Sequence, residues 1–149
     1  MLRLLYGTGN PAKLSAMREW LKDLPVMIDG LDAQAPDVPE DGKTPLENAR
    51  QKAVCYFMTY RRPVFSCDSS LILTGLPEDK NPGVHARRPE GKPLSDEEML
   101  TYYAGLVQKY GKGGYLSARY QNAICLVMRE GVCLEYDGDD ICSGTFLLA

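Results

Sequence analysis

The chain opens on an apolar run, Leu2 to Tyr6, interrupted only by Arg3, which reads as a buried strand. Asn10 and Pro11 then stand where a helix cap and first helical residue belong, and Leu14, Met17, Leu21 and Leu24 recur at helical spacing. Val26 to Ile28 is a short second strand candidate. Residues 29–43 carry no periodicity and are rich in Asp, Pro and Gly, which marks a loop. Thr44-Pro45-Leu46-Glu47 has the form of a capping box, and the helix it opens is predicted to reach Tyr60. Leu46, Ala49, Ala53, Phe57 and Tyr60 form its apolar face. Glu47, Asn48, Gln51 and Lys52 fall on the other side.

Pro63 to Cys67 reads as a strand that ends at the turn-formers Asp68-Ser69-Ser70, with Leu71 to Thr74 as a continuation. Residues 75–93 hold prolines and glycines throughout and are predicted to be loop. Ser95 to Glu98 is a second capping box, opening a helix to Tyr110. Tyr115 to Met128 and Val132 to Tyr136 form a hairpin pair about Glu130-Gly131, and Ile141 to Leu148 is a last strand. Helices and strands alternate early and strands dominate later. The fold class predicted is α/β, with a mixed central sheet and flanking helices.

Length and charge narrow the function. At 149 residues the chain is one domain, residues 1–149, by the usual size prior. A net charge of −3, with both signs mixed along the chain, gives no basic stripe for nucleic acid and no patch for a membrane surface. No apolar run approaches bilayer-spanning length, and the apolar start is too short for a signal peptide. Cys55, Cys67, Cys125, Cys133 and Cys142 are odd in number and form no C-x-x-C pair. They read as free thiols of a cytoplasmic protein.

Two groups of residues carry chemistry. The first is Thr8-Gly9-Asn10-Pro11-Ala12-Lys13, between a strand and a helix. Helix starts expose N–H groups and partial positive charge, Gly9 lets the backbone approach a ligand, and Lys13 can reach back to a phosphate. Alone, the segment reads equally well as an ordinary cap and turn. The second group is Glu40, Glu47, Lys52 and Asp68, each at an element edge. Carboxylates so placed suit Mg²⁺ with substrate phosphates, and a carboxylate beside a metal can activate water. Singly, each also has a plain structural explanation, Glu47 above all as part of its capping box.

Order and spacing together are more specific. T-G-N-x-x-K at Thr8–Lys13, E-x-G-x-T-x-x-E-N-A-x-x-K-A at Glu40–Ala53, Cys67-Asp68-Ser69-Ser70-Leu71 against D-D-S-G-L, and Pro82-Gly83-Val84-His85-Ala86-Arg87-Arg88 against P-G-V-x-x-A-R follow one another. Over residues 2–128 the chain resembles the inosine triphosphate pyrophosphatase family, which hydrolyses non-standard purine nucleoside triphosphates such as ITP, dITP and XTP. The resemblance implies an α/β fold with a cleft, Mg²⁺ dependence and a homodimer. It implies that Thr8, Gly9, Asn10, Lys13, Lys52 and Ser69 contact substrate, that Glu40, Glu47 and Asp68 hold the metal, and that Asp68 activates water for attack on the α-phosphate.

Cys67 and Ser70 depart from the family pattern. The family's G-F-G-Y-D-P segment and its S-H-R helix have no counterpart before Ala149, so by this resemblance the chain is shortened at its C-terminus. An alternative reading is a nucleotide-binding or interaction protein without catalysis. His85, the only histidine, reads as incidental, and Tyr102, Tyr103 and Tyr110 as core or dimer contacts.

Overall fold

A computed structural model describes residues 1–86, 88–89, 91–137 and 145–148. Arg87, Cys142 and the first part of the last predicted strand lie outside the described residues. The described residues form two compact units, one of residues 1–68 and 123–137, the other of the described residues among 69–122 together with 145–148.

The first unit is an α/β layer structure. Strands β1 (Leu2–Tyr6), β2 (Val26–Asp29) and the start of β3 (Val64–Leu73) run parallel, with β1 between the other two. The end of β4 (Leu116–Arg129) and β5 (Val132–Asp137) complete the order β2-β1-β3-β4-β5, and β4 and β5 pair antiparallel. The sheet is therefore mixed, as expected.

Alternation along β1 sends Leu4 and Tyr6 to one face and Leu5 to the other. Leu4 and Tyr6 join Ile28 and Phe65, covered by Leu14 and Met17 of helix α1 (Pro11–Trp20). Leu5 joins Val64, Ala123, Cys125 and Val127, covered by Ala49, Ala53, Tyr56 and Phe57 of helix α2 (Pro45–Tyr60). The apolar face predicted for α2 is the one that packs on the sheet. Its opposite side is not all solvated, because Asn48 and Lys52 are buried as well.

In the second unit Tyr103, Leu106 and Val107 of helix α3 (Asp96–Tyr110) pack on Leu71, Leu73, Leu116 and Ala118. Strand β6 (Thr145–Leu148) pairs antiparallel with Leu116–Arg119. The Ser95–Glu98 capping box is complete, with both reciprocal hydrogen bonds formed.

Two expectations change. Helix α1 ends at Trp20, and Leu24 lies beyond it, exposed in the turn before Pro25. A residue preceding proline is disfavoured in helix, which takes Leu24 out of the periodic series. Strand β3 does not stop at Asp68-Ser69-Ser70 but runs on to Leu73. Those residues favour turns by bonding to their own backbone. Here Asp68 and Ser69 have partners on other elements, so the extended backbone persists.

Candidate active site

The parallel strands end where the first loop and α2 begin to supply polar groups. Gly7 N–H donates to the Phe65 carbonyl, tying the end of β1 to β3 two residues before Cys67. A β-carbon at Gly7 would stand 2.1 Å from Ser66 Oγ and 2.6 Å from the Tyr56 ring, so packing requires this glycine. Gly9 is different. It is exposed, its backbone angle does not demand glycine, and no atom lies within 4 Å of an added β-carbon. No contact among the described residues calls for a glycine there, and its open backbone leaves room for a group to approach.

Asn10 caps α1: its side-chain oxygen accepts from the N–H groups of Ala12 at 2.9 Å and Lys13 at 3.4 Å. Leu14 N–H donates to the Asn10 carbonyl, and Pro11 has no N–H. The first-turn donors are thus already engaged. What the helix start offers an anion is its dipole, the side chain of Lys13 and the open backbone at Gly9. Thr8 Oγ1 accepts from Asn10 N–H at 3.2 Å, which fixes the loop. Lys13 is exposed and acts electrostatically on the Cys67 thiol.

Lys52 reaches the same strand end from α2. Its side chain is largely buried, and Nζ donates to the Cys67 carbonyl at 2.7 Å. Nζ lies 3.2 Å from Glu40 Oε1 and 4.0 Å from Asp68 Oδ1, so one ammonium bridges two carboxylates. Glu40 has a φ of 49°, in the left-handed region that a residue with a β-carbon seldom occupies. Such strain persists where surrounding contacts impose it, and it concentrates at functional sites.

Asn48, one turn before Lys52, is 2% exposed and completes the cluster. Its Oδ1 accepts from Gly42 N–H at 2.8 Å, and its Nδ2 donates to Asp68 Oδ2 at 3.0 Å. Reading α2 by periodicity missed Asn48, because an asparagine on the side away from the apolar stripe passes for a solvated residue. Its signal was its place one turn from Lys52 in the stretch Glu47-Asn48-Ala49.

The structure thus brings Glu40, Lys52 and Asp68 together and leaves Glu47 apart. Glu47 Oε2 accepts from Lys43 N–H at 2.8 Å, while Thr44 caps Glu47 N–H at 3.2 Å. The capping box is shifted by one residue, because the glutamate bonds Lys43 in place of the cap. Glu47 lines an open cleft on the outer side of α2 with Asp41, Arg50 and Gln51. Ser69 belongs to the second unit, where its hydroxyl donates to Asn122 Oδ1 at 2.6 Å.

Cys67 points away from Asp68, into the cluster of Tyr6 and Phe65 on the α1 side. Burial pushes its thiol above the ordinary range, against a Tyr6 hydrogen bond and the charges of Lys52 and Lys13, which pull it down. The carboxylate missing at this position would therefore have stood among β1 and α1 residues.

Among the described residues no three of His, Cys, Asp and Glu gather closely enough to form a metal site alone. Mg²⁺ needs only one or two carboxylates when substrate phosphates and water supply the rest. Glu40 and Asp68, both within 4.0 Å of one ammonium, fit that role.

The fold and this cluster define an α/β protein with a charged site at the carboxyl ends of parallel strands, where such sheets bind ligands. A model of the Ham1 family matches residues 4–147. The chain belongs to that family, the inosine triphosphate pyrophosphatase family its motifs resemble. A dITP/XTP pyrophosphatase of Syntrophobacter fumaroxidans is 30% identical over 98% of this chain and 61% of its own length. One of Geobacter sulfurreducens is 37% identical over 65% of this chain and 49% of its own. The chain thus spans about half to three-fifths of the length of these relatives. The solved structure of a HAM1 protein from Coxiella burnetii is 27% identical and superposes with a TM-score of 0.76, covering 99% of this chain and 72% of the other.

Proposed function

We propose that the chain hydrolyses non-standard purine nucleoside triphosphates, ITP, dITP or XTP, to the monophosphate and pyrophosphate. The observation that carries this reading is the convergence of Lys52, Glu40 and Asp68 on β3, just past the stretch paired with β1 and near the loop Thr8–Lys13. The names of the matched relatives support the substrate class.

In this reading Lys13 and Lys52 neutralise the triphosphate, and Thr8, Gly9 and Asn10 line its path. Asp68 takes the proton of the attacking water at the α-phosphate. A bound Mg²⁺ would be held by Glu40 and Asp68 and would polarise phosphate oxygens and lower the pKa of water. The engagement of Glu47 with Lys43 favours Glu40 over Glu47 as a ligand. Ser69, next along β3, would meet the substrate beyond Asp68.

The protein is further proposed to be a cytoplasmic homodimer. Its four described cysteines are free, and exposed Trp20, Leu24 and Met27 supply apolar surface. No helix among the described residues is long and apolar enough to cross a membrane. Sedimentation showing only monomer at micromolar concentration would remove the dimer.

The test is a nucleotide panel with Mg²⁺, scored for pyrophosphate and monophosphate. Equal release of both from ITP, dITP or XTP is expected, and orthophosphate as the product would overturn the reading. Binding without any release would favour the alternative, a nucleotide-binding protein without catalysis, for which Cys67 in place of a carboxylate is the specific observation.

A further inference from the structure

Asn48 occupies an unusual position for a helical asparagine. It is buried, and each end of its amide meets a different part of the site. The oxygen holds Gly42 N–H, two residues after Glu40 with its left-handed backbone. The nitrogen holds Asp68 Oδ2. Rotating the amide by half a turn would set its N–H groups against Gly42 N–H and its oxygen against the carboxylate, so the two partners fix one orientation.

Gly42 is matched to this contact. A β-carbon there would stand 2.7 Å from Asn48 Oδ1 and 2.7 Å from Glu47 Cβ. The loop thus approaches Asn48 as closely as a glycine allows. A loop anchor alone would need only an acceptor at residue 48, and capping or packing would need neither end. The second bond, to Asp68, has no part in holding the loop.

We propose that Asn48 is a positioning residue that locks the Asp68 carboxylate and the Glu40 loop into one geometry. The inference rests on the hydrolase reading, in which Asp68 takes the proton of water. Asn48 acts through Asp68 and Gly42, the two groups its amide holds. It fixes the rotation of the Asp68 carboxylate about its side-chain bond by occupying Oδ2, and it keeps Glu40 within reach of Lys52 by holding Gly42.

Steady-state kinetics of wild type, Asn48→Ala and Asn48→Asp test this, with circular dichroism as the check of folding. Asn48→Ala is expected to lower kcat about 10- to 100-fold, the usual cost of removing a partner that orients a site residue, with KM changed less than about twofold. Asn48→Asp keeps an acceptor for Gly42 N–H but has no N–H for Asp68, so it is expected to be at least as impaired. A role confined to anchoring the loop predicts the reverse: Asn48→Asp close to wild type, and the Asn48→Ala defect in KM. That result overturns the proposal.

If Asn48→Ala does not fold, Gly42→Ala displaces the Asn48 amide from the other side and is expected to lower kcat in the same manner; an unchanged kcat there overturns the proposal equally. Wild-type protein that releases no pyrophosphate from any triphosphate overturns the hydrolase reading and this inference together. An active wild type with an unimpaired, folded Asn48→Asp variant overturns this inference alone.

Discussion

The Lys52 ammonium donates to the Cys67 carbonyl oxygen at 2.7 Å, so the charge of α2 is pinned to the backbone of β3 one residue before Asp68. A backbone acceptor cannot swing away as a side chain can. It holds the ammonium between Glu40 and Asp68 when no ligand is bound. The positive charge that a phosphate would meet is therefore preorganised, with its cost of ordering met during folding.

Lys52→Met is expected to destabilise the protein, apart from any loss of the phosphate contact proposed for Lys52. It strips the counter-charge from two carboxylates, one of them, Asp68, only 16% exposed. A loss of roughly 1–3 kcal/mol is expected, the range for orphaning charged hydrogen-bond partners. The urea midpoint at constant slope measures it. A midpoint equal to wild type would mean that the bridge contributes nothing to folding.

Gly7 and Gly9 stand two residues apart and should respond oppositely to alanine. Gly7→Ala drives a β-carbon into Ser66 and Tyr56, an overpacking that costs about 1–3 kcal/mol. Gly9→Ala meets open space and should shift stability by less than about 0.5 kcal/mol. Its effect is expected in a several-fold loss of triphosphate affinity. Thermal unfolding and equilibrium binding on both variants check this. Unaltered nucleotide binding by Gly9→Ala would return that glycine to an ordinary loop residue.

The sequence carried the elements that local rules govern. Capping boxes placed the starts of α2 and α3, periodicity gave α2 its buried face, and the caps at Asn10, Thr44 and Ser95 were legible because capping is a short-range bond. The family motifs placed Lys52 and Asp68 in one site, and the structure brings them within 4.0 Å. What local rules could not reveal depends on partners distant in sequence. Asp68 stays in a strand because Asn48, twenty residues earlier, bonds it. Glu40 and Glu47 have the same chemistry and neighbouring positions, and only the path of the loop gives Glu40 to Lys52 and Glu47 to Lys43. The donors at the start of α1 looked open to phosphate, but the cap that defines the helix also consumes them.

Asp29 gives a pH-dependent contribution to stability. Hydrogen bonds from Arg3 and Arg62, more than their charges alone, hold its carboxyl below the usual range. A depressed folded pKa stabilises the native state above the unfolded value, about pH 4 for Asp. That contribution is lost as pH falls further, through the folded value. Asp29→Asn is therefore expected to be less stable than wild type at pH 7, with the gap narrowing below about pH 4. Urea midpoints across this range measure it. A gap that stays constant through the acid range would mean that the ion cluster is not the source of the difference.

The described cysteines should differ sharply in reactivity, because the thiolate is the reacting form. Cys125 is fully buried in β4, and burial, followed by Cys133 and Glu135 nearby, pushes its thiol up to about 12. Cys67 is likewise raised by burial against Tyr6 and Phe65. Cys133 lies exposed on β5. Iodoacetamide near pH ~8, about where an ordinary thiol begins to ionise, is expected to alkylate the exposed Cys133 before the buried Cys125. Cys125 and Cys67 should react only as the protein unfolds, and site-resolved mass spectrometry along a urea series reads each position. A nucleotide that binds beside Asp68 should slow Cys67 further while leaving Cys133 unchanged. Rapid labelling of Cys67 in native protein would place its thiol outside the β1–α1 cluster and undo the account of how this position departs from the family motif.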